Sequence, residues 1–118
     1  MHGTVAKLCF GGMYSTLRLR AEIRWRQCDL EAANSDARRA LAIAMELQGK
    51  NPHSSFTGLC HLLLAKLARE TGDLEAADSA LRQAIPHLSN ALGDGHPETK
   101  VARRMIASPI ATEPDPST

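Results

Sequence analysis

Asp29-Leu30-Glu31-Ala32-Ala33 recurs 44 residues downstream as Asp73-Leu74-Glu75-Ala76-Ala77. The agreement spreads outward at the same offset: Ala21 with Ala65, Ser35 with Ser79, Arg38 with Arg82, Ala40 with Ala84 and Gly49 with Gly93. A fixed spacing of roughly 20–50 residues marks stacked supersecondary units, none of which buries its apolar face alone. The matched positions are mostly small or apolar, so the repetition serves packing and not catalysis.

The flanking pattern is helical. Leu17, Leu19, Ala21 and Ile23 predict a first helix over 14–27. Asp29 is placed to cap a second, with Ala37, Ala40, Leu41, Ala44, Met45 and Leu47 recurring at three- and four-residue spacing. Gly49 and Asn51-Pro52 end it. Ser54 or Ser55 caps a third helix through Leu59, Leu62, Leu63, Leu64, Leu67 and Ala68, broken at Thr71-Gly72. Asp73 caps the fourth, which carries Ala77, Leu81, Ala84, Ile85, Leu88 and Leu92. Pro86 inside it predicts a bend and not an end. After the loop Gly93-Asp94-Gly95-His96, Pro97 opens a short fifth helix ending before Ser108-Pro109. The organisation read from this is a lead-in over 1–13, one unit over 14–52, a second over 53–96 and a capping helix over 97–107. The tail over 108–118, with Pro114, Pro116 and two acids, has nothing to bury and is expected to be disordered. The Gly11-Gly12 pair makes the lead-in a poor helix interior.

Composition narrows the function classes. The chain has 118 residues, 43% of them hydrophobic but only 3% aromatic. Ala and Leu must therefore do the packing, which suits closely approaching helix pairs. A net charge of +1 gives no general attraction to nucleic acid or an anionic membrane, and no apolar run approaches the ~18 residues of a membrane span. The charge is uneven: residues 1–50 carry 8 Lys/Arg against 5 Asp/Glu, and residues 51–118 carry 6 against 8. Cys9, Cys28 and Cys60 are odd in number and widely spaced, which fits reduced thiols and a cytoplasmic protein better than a disulfide framework. No signal-peptide pattern opens the chain.

Leu63-Leu64-Ala65-Lys66-Leu67-Ala68, Gly72-Asp73-Leu74-Glu75-Ala76-Ala77, Leu81, Ala84-Ile85 and Ala91-Leu92-Gly93-Asp94-Gly95-His96-Pro97 together resemble a tetratricopeptide repeat. The long loop with His96-Pro97 is similar to the subclass found in kinesin light chains and many bacterial signalling proteins. The resemblance covers about residues 15–107 and implies an all-α fold, a short right-handed solenoid of antiparallel helix pairs with about two and a half repeats. It implies close helix contacts at Ala21, Ala33 and Ala40 in the first unit and at Ala65, Ala77 and Ala84 in the second, with Gly72 in the turn and Pro97 opening the last helix. The sequence departs from the family at Cys28, where Gly72 supplies the turn glycine in the second unit, and at Ala37, where the family favours an aromatic. The third unit is half a repeat, and such stacks usually need three or more. A capping role for the fifth helix, a neighbouring part of a longer protein and a second copy are the ways to complete it.

The most unusual local composition is Arg18, Arg20, Arg24, Trp25 and Arg26. On a helix, Arg20 and Arg24 share one face, and Arg18, Glu22, Trp25 and Arg26 fall near another. First helices of such repeats line the groove, so the resemblance implies a partner-binding surface of Arg18, Glu22, Trp25, Arg26, Leu62, Lys66, Arg69 and Glu70. Arg and Trp are favoured interface anchors, and the set suits an acidic, partly apolar protein or peptide segment. The alternative is a solvated basic face with Trp25 buried against the lead-in. Glu22 stands where a chaperone-tail groove would hold a basic or amide residue, which argues against that specialised binding.

His2, His53, His61, His87 and His96 show no HxxxH, HExxH or Cys-adjacent spacing, so no metal is expected. No P-loop, dinucleotide or nucleophile-elbow motif occurs, and no cofactor is expected. Three functions remain: a non-enzymatic interaction module, the C-terminal part of a larger bacterial signalling kinase or regulator, and weak nucleic-acid binding through the Arg-rich helix. The pI near 7.8 argues against the last.

Overall fold

The computed structural model describes the backbone of residues 2–107 and the side chains of residues 13–107. The described residues form five helices and no strand: α1 (His2–Arg26), α2 (Leu30–Gln48), α3 (Ser55–Glu70), α4 (Leu74–Leu92) and α5 (Pro97–Ala107). Each helix packs on the next in chain order, α1 on α2, α2 on α3, α3 on α4 and α4 on α5. Two helix pairs and a half-pair thus make a short all-α stack. The tail expected to be disordered lies outside the described residues.

The 44-residue repeat is visible in the local chemistry. Asp29 caps α2 by accepting from the Ala32 amide at 3.2 Å, and Asp73 caps α4 by accepting from the Ala76 amide at 3.0 Å. The turns before these caps both need a positive φ: Gly72 has +84° and Cys28 has +64°. Cys28 occupies the turn glycine's place and adopts the glycine's conformation, which strains an L-residue. Ser54 is the cap of α3, accepting from Thr57. α4 continues through Pro86 to Leu92.

The beginning of the chain differs from the lead-in read from the sequence. α1 starts at His2 and runs as one helix through Gly11 and Gly12. A glycine costs a helix interior about 1 kcal/mol, a local penalty that cooperative propagation along a packed helix overcomes.

The core consists of three clusters under these helices. Tyr14, Leu17, Ala40, Ala44 and Cys60 form one. Ala21, Ala33, Ala37, Leu63 and Leu67 form the second, joining α1 and α2 to α3. Leu62, Ala65, Leu81, Ala84, Leu88 and Ala102 form the third, joining α3 and α4 to α5. Ala21, Ala33, Ala40, Ala65 and Ala84 are wholly inaccessible and Ala77 is nearly so. Pro97 opens α5.

Candidate partner-binding groove

A cleft of about 200 Å³ lies where α1, α3 and the start of α5 meet, lined by Arg18, Glu22, Trp25, Arg26, Leu59, Leu62, Leu63, Lys66 and Glu98. These three are the first helices of their units. The spacing of Arg18, Glu22, Trp25 and Arg26 brings them to one side of α1, and Leu59, Leu62, Leu63 and Lys66 recur on α3 in the same way. Arg18 donates to Glu22 at 2.9 Å along α1. The cleft thus has a leucine floor, an indole wall, the cations of Arg18, Arg26 and Lys66, and the carboxylates of Glu22 and Glu98.

Of the residues read from the sequence as groove-forming, Arg18, Glu22, Trp25, Arg26, Leu62 and Lys66 come together there. Arg69 does not line the cleft; its Nη2 donates to the Met105 carbonyl at 2.7 Å and ties α3 to the end of α5. Glu70 is exposed at the end of α3 and does not line the cleft either. Leu59, Leu63 and Glu98 were missed as lining residues. Leu59 and Leu63 were legible as the turns of α3 flanking Leu62 and Lys66, but Glu98 enters only because α5 folds across the end of the groove.

Trp25 is half-buried and packs beside the Ala21, Ala33, Ala37, Leu63 and Leu67 cluster. It therefore has a packing contact and a groove-facing contact at once. Burial against the lead-in is ruled out, because the first residues lie at the opposite end of the same helix from Trp25.

Arg20 and Arg24 do share a face, and their partner is a residue that the sequence pattern did not single out. Arg20 donates twice to the buried Asp36 of α2, both at 2.9 Å, and Arg24 Nε lies 3.0 Å from the same carboxylate. The hydrogen bond from Arg20 chiefly, with the charges of Arg20, Arg24 and Arg39, holds the Asp36 carboxyl below its ordinary range against the opposing effect of burial.

His53, His87 and His61 form a row on another side. The His87 ring lies 5.7 Å from that of His53 and 6.2 Å from that of His61. His87 Nδ1 accepts from the Ser54 amide at 3.0 Å, joining α4 to the start of α3. Burial, then the neighbouring imidazole, pushes the pKa values of His61 and His87 down. Among the described residues, no group of three or more His, Cys, Asp or Glu is placed to hold a metal ion. His96 Nδ1 accepts from the Glu98 amide at 3.1 Å and so braces the start of α5. Cys60 is buried beside Tyr14, and desolvation pushes its thiol up to about 12, an unreactive state.

A second cleft of about 670 Å³ runs over α3 between α2 and α4, with Leu41, Leu64, Leu67, Ala68 and Ala80 in it and Glu31, Arg38 and Asp73 among its polar lining. It is larger but offers no comparable concentration of cations beside an aromatic ring. Among the described residues, no helix is long and apolar enough to cross a membrane.

The tetratricopeptide repeat-like domain profile matches residues 11–104, most of the chain. The chain therefore belongs to the tetratricopeptide repeat-like family. Domains of this kind are, as a class, protein-interaction modules and generally non-enzymatic scaffolds. No curated protein and no solved structure matches it.

Proposed function

We propose that this chain is a non-enzymatic, cytoplasmic interaction module that takes an acidic, partly apolar segment of a partner protein in the groove between α1, α3 and α5. The observation that carries this reading is the meeting of Arg18, Arg26 and Lys66 with Trp25 over a floor of leucines. Such a surface offers charge-assisted hydrogen bonds to carboxylates and a flat apolar wall between them. The leucines and the indole in the same cleft suit the apolar side chains of a protein segment better than a phosphate backbone. The His96-Pro97 loop, with His96 bracing α5, supports placement in the long-loop subclass that includes kinesin light chains, and with it a role in signalling assemblies.

The test is a screen of fluorescent acidic peptides against the full chain, followed by variants. Lys66→Ser and Arg26→Ser, neither of which is in the core, should weaken the selected peptide with little change in melting temperature. The loss should shrink at high salt, because exposed charges are screened over roughly 8–10 Å at ordinary ionic strength. Trp25→Ala should cost about 2 kcal/mol of binding, the threshold of a hot spot. That variant should also lower the melting temperature, since Trp25 touches the core. Unchanged binding in the Lys66 and Arg26 variants would sink the groove reading.

A further inference from the structure

The repeat offset exposes an apolar surface whose natural cover can be read from the second unit. Leu63 and Leu67 on α3 correspond to Leu19 and Ile23 on α1. Leu63 and Leu67 are 5% and 2% exposed, seated against Ala21, Ala33 and Ala37 of the preceding pair. Leu19 and Ile23 are 54% and 53% exposed. The same face is therefore apolar in both units, covered in one and open in the other. Its width is set by helical geometry: at about 100° per residue, Leu19 and Ile23 lie about 40° apart. Arg26 falls about 20° beyond Leu19 on the wheel, and Arg20 about 60° beyond Ile23.

We propose that this outward face of α1 docks a helix of a separate protein that carries small residues one turn apart, flanked by acidic side chains. The shape follows from the internal template, in which alanines one turn apart on α2 accept two large apolar residues of the next helix. The charge follows from the borders, because Arg26 is exposed, Arg20 is 44% exposed, and Arg20 and Arg24 share the single carboxylate of Asp36. A second copy docking through its own α1 is disfavoured as the occupant. Pairing α1 with itself would bring together Arg18, Arg20, Arg24 and Arg26 of each chain, opposed on that helix by Glu22 alone among its described acids. This face adjoins the groove at Arg26, which borders both, but Leu19 and Ile23 do not line the groove.

The probe is a labelled helical peptide with alanines at i and i+4 on one face and glutamates on both flanks, and its control carries lysines at the flanks. Fluorescence anisotropy with the full chain should show binding of the acidic peptide and none of the lysine peptide. The double variant Leu19→Ser/Ile23→Ser should weaken binding by roughly tenfold or more, since two large apolar side chains are lost from the contact. It should leave the melting temperature unchanged, whereas Leu63→Ser/Leu67→Ser should lower it steeply. Absence of binding by the acidic peptide, or equal binding to the Leu19/Ile23 variant, overturns the proposal. So does sedimentation showing a dimer that this variant dissolves, which would make a second copy the occupant. A melting temperature lowered as far as in the Leu63/Leu67 variant overturns it as well, because the face would then be covered within the chain.

Discussion

Where α3 carries Leu64 and Ala68 and α4 carries Ala80, the corresponding places in the first unit hold Arg20, Arg24 and Asp36. Elsewhere the two units exchange bulk. Tyr14 on α1 packs with the alanine of α2 at position 44, while the second unit has Gly58 on its first helix and Leu88 on its second. Ala37 of the first unit faces the same problem that Leu81 solves in the second. One backbone repeat is thus closed twice, once with an aromatic residue and an ion pair to a buried carboxylate, once with leucines over small residues. The comparison teaches that the repeat preserves helix position and cap geometry, while volume and polarity at each contact are shared out anew within each pair.

The largest effect should come from giving the second unit the first unit's small residues without its tyrosine. Leu88→Ala and Leu81→Ala remove fully buried side chains, so each should cost about 2–5 kcal/mol in urea titrations. A loss well below that range would show that α4 does not carry the core of its pair. Gly58→Ala should come next. A Cβ there would meet Leu88 Cδ2 and His87 Cβ at 2.9 Å, so overpacking should cost about 1–3 kcal/mol. Because the clash is partly with Leu88, the double variant Gly58→Ala/Leu88→Ala should lose less than the sum of the two. Strict additivity would break the idea that bulk is traded within the pair.

The polar difference predicts two separate pH windows. Asp36 has a lowered pKa in the fold, so its stabilisation is present above the ordinary carboxylate value of about 3.9 and is lost as pH falls through the folded value. His61 and His87 also have lowered pKa values, so the sign is the same, although here the fold favours the neutral form and not the charged one. Protonation opposes folding, so stability should begin to fall as pH drops through about 6.5, the ordinary value for histidine. The first unit has Leu17 and Ile43 at the corresponding places. His61→Leu should therefore flatten the stability profile below neutrality and leave the more acidic Asp36 window in place, while Asp36→Asn should do the reverse. Identical profiles in wild type and His61→Leu would refute the assignment.

Much of the fold was legible because its determinants are local and repeated. Asp29 and Asp73 as caps, Gly49 and Gly93 as stops, and alanine at six matched contact positions all follow from spacing along one chain. The groove was legible where it depends on helical periodicity, as for Arg18, Glu22, Trp25 and Arg26. It was not legible where it depends on another helix. Arg69 is taken by a carbonyl of α5, Glu98 enters the cleft from α5, and Asp36 meets Arg20 across the α1–α2 contact; no motif encodes these meetings. The exposure of Leu19 and Ile23 was hidden for a similar reason, since their pattern matches that of Leu63 and Leu67 and only a neighbour distinguishes them. The extent of α1 escaped because Gly11-Gly12 speaks for local propensity, not for propagation from the packed part of the helix.

The smallest predicted change sits in the turns. Cys28 has a φ of +64° where Gly72 has +84°, and no other non-glycine residue of the described chain has a positive φ. The left-handed conformation costs an ordinary L-residue roughly 1–2 kcal/mol. Glycine relieves that strain but raises the entropy of the unfolded chain, an opposing effect of roughly 0.5–1 kcal/mol. Cys28→Gly should therefore stabilise the protein by only about 0.5–1 kcal/mol, read as a small rise in melting temperature. The thiol is exposed and free, so its removal leaves no cavity to offset the gain. Gly72→Cys should move stability the other way, by a similar amount, if the two turns are equivalent. A destabilised Cys28→Gly variant would mean that the cysteine side chain makes a contact worth more than the strain, and the equivalence of the two turns would then hold for backbone shape alone.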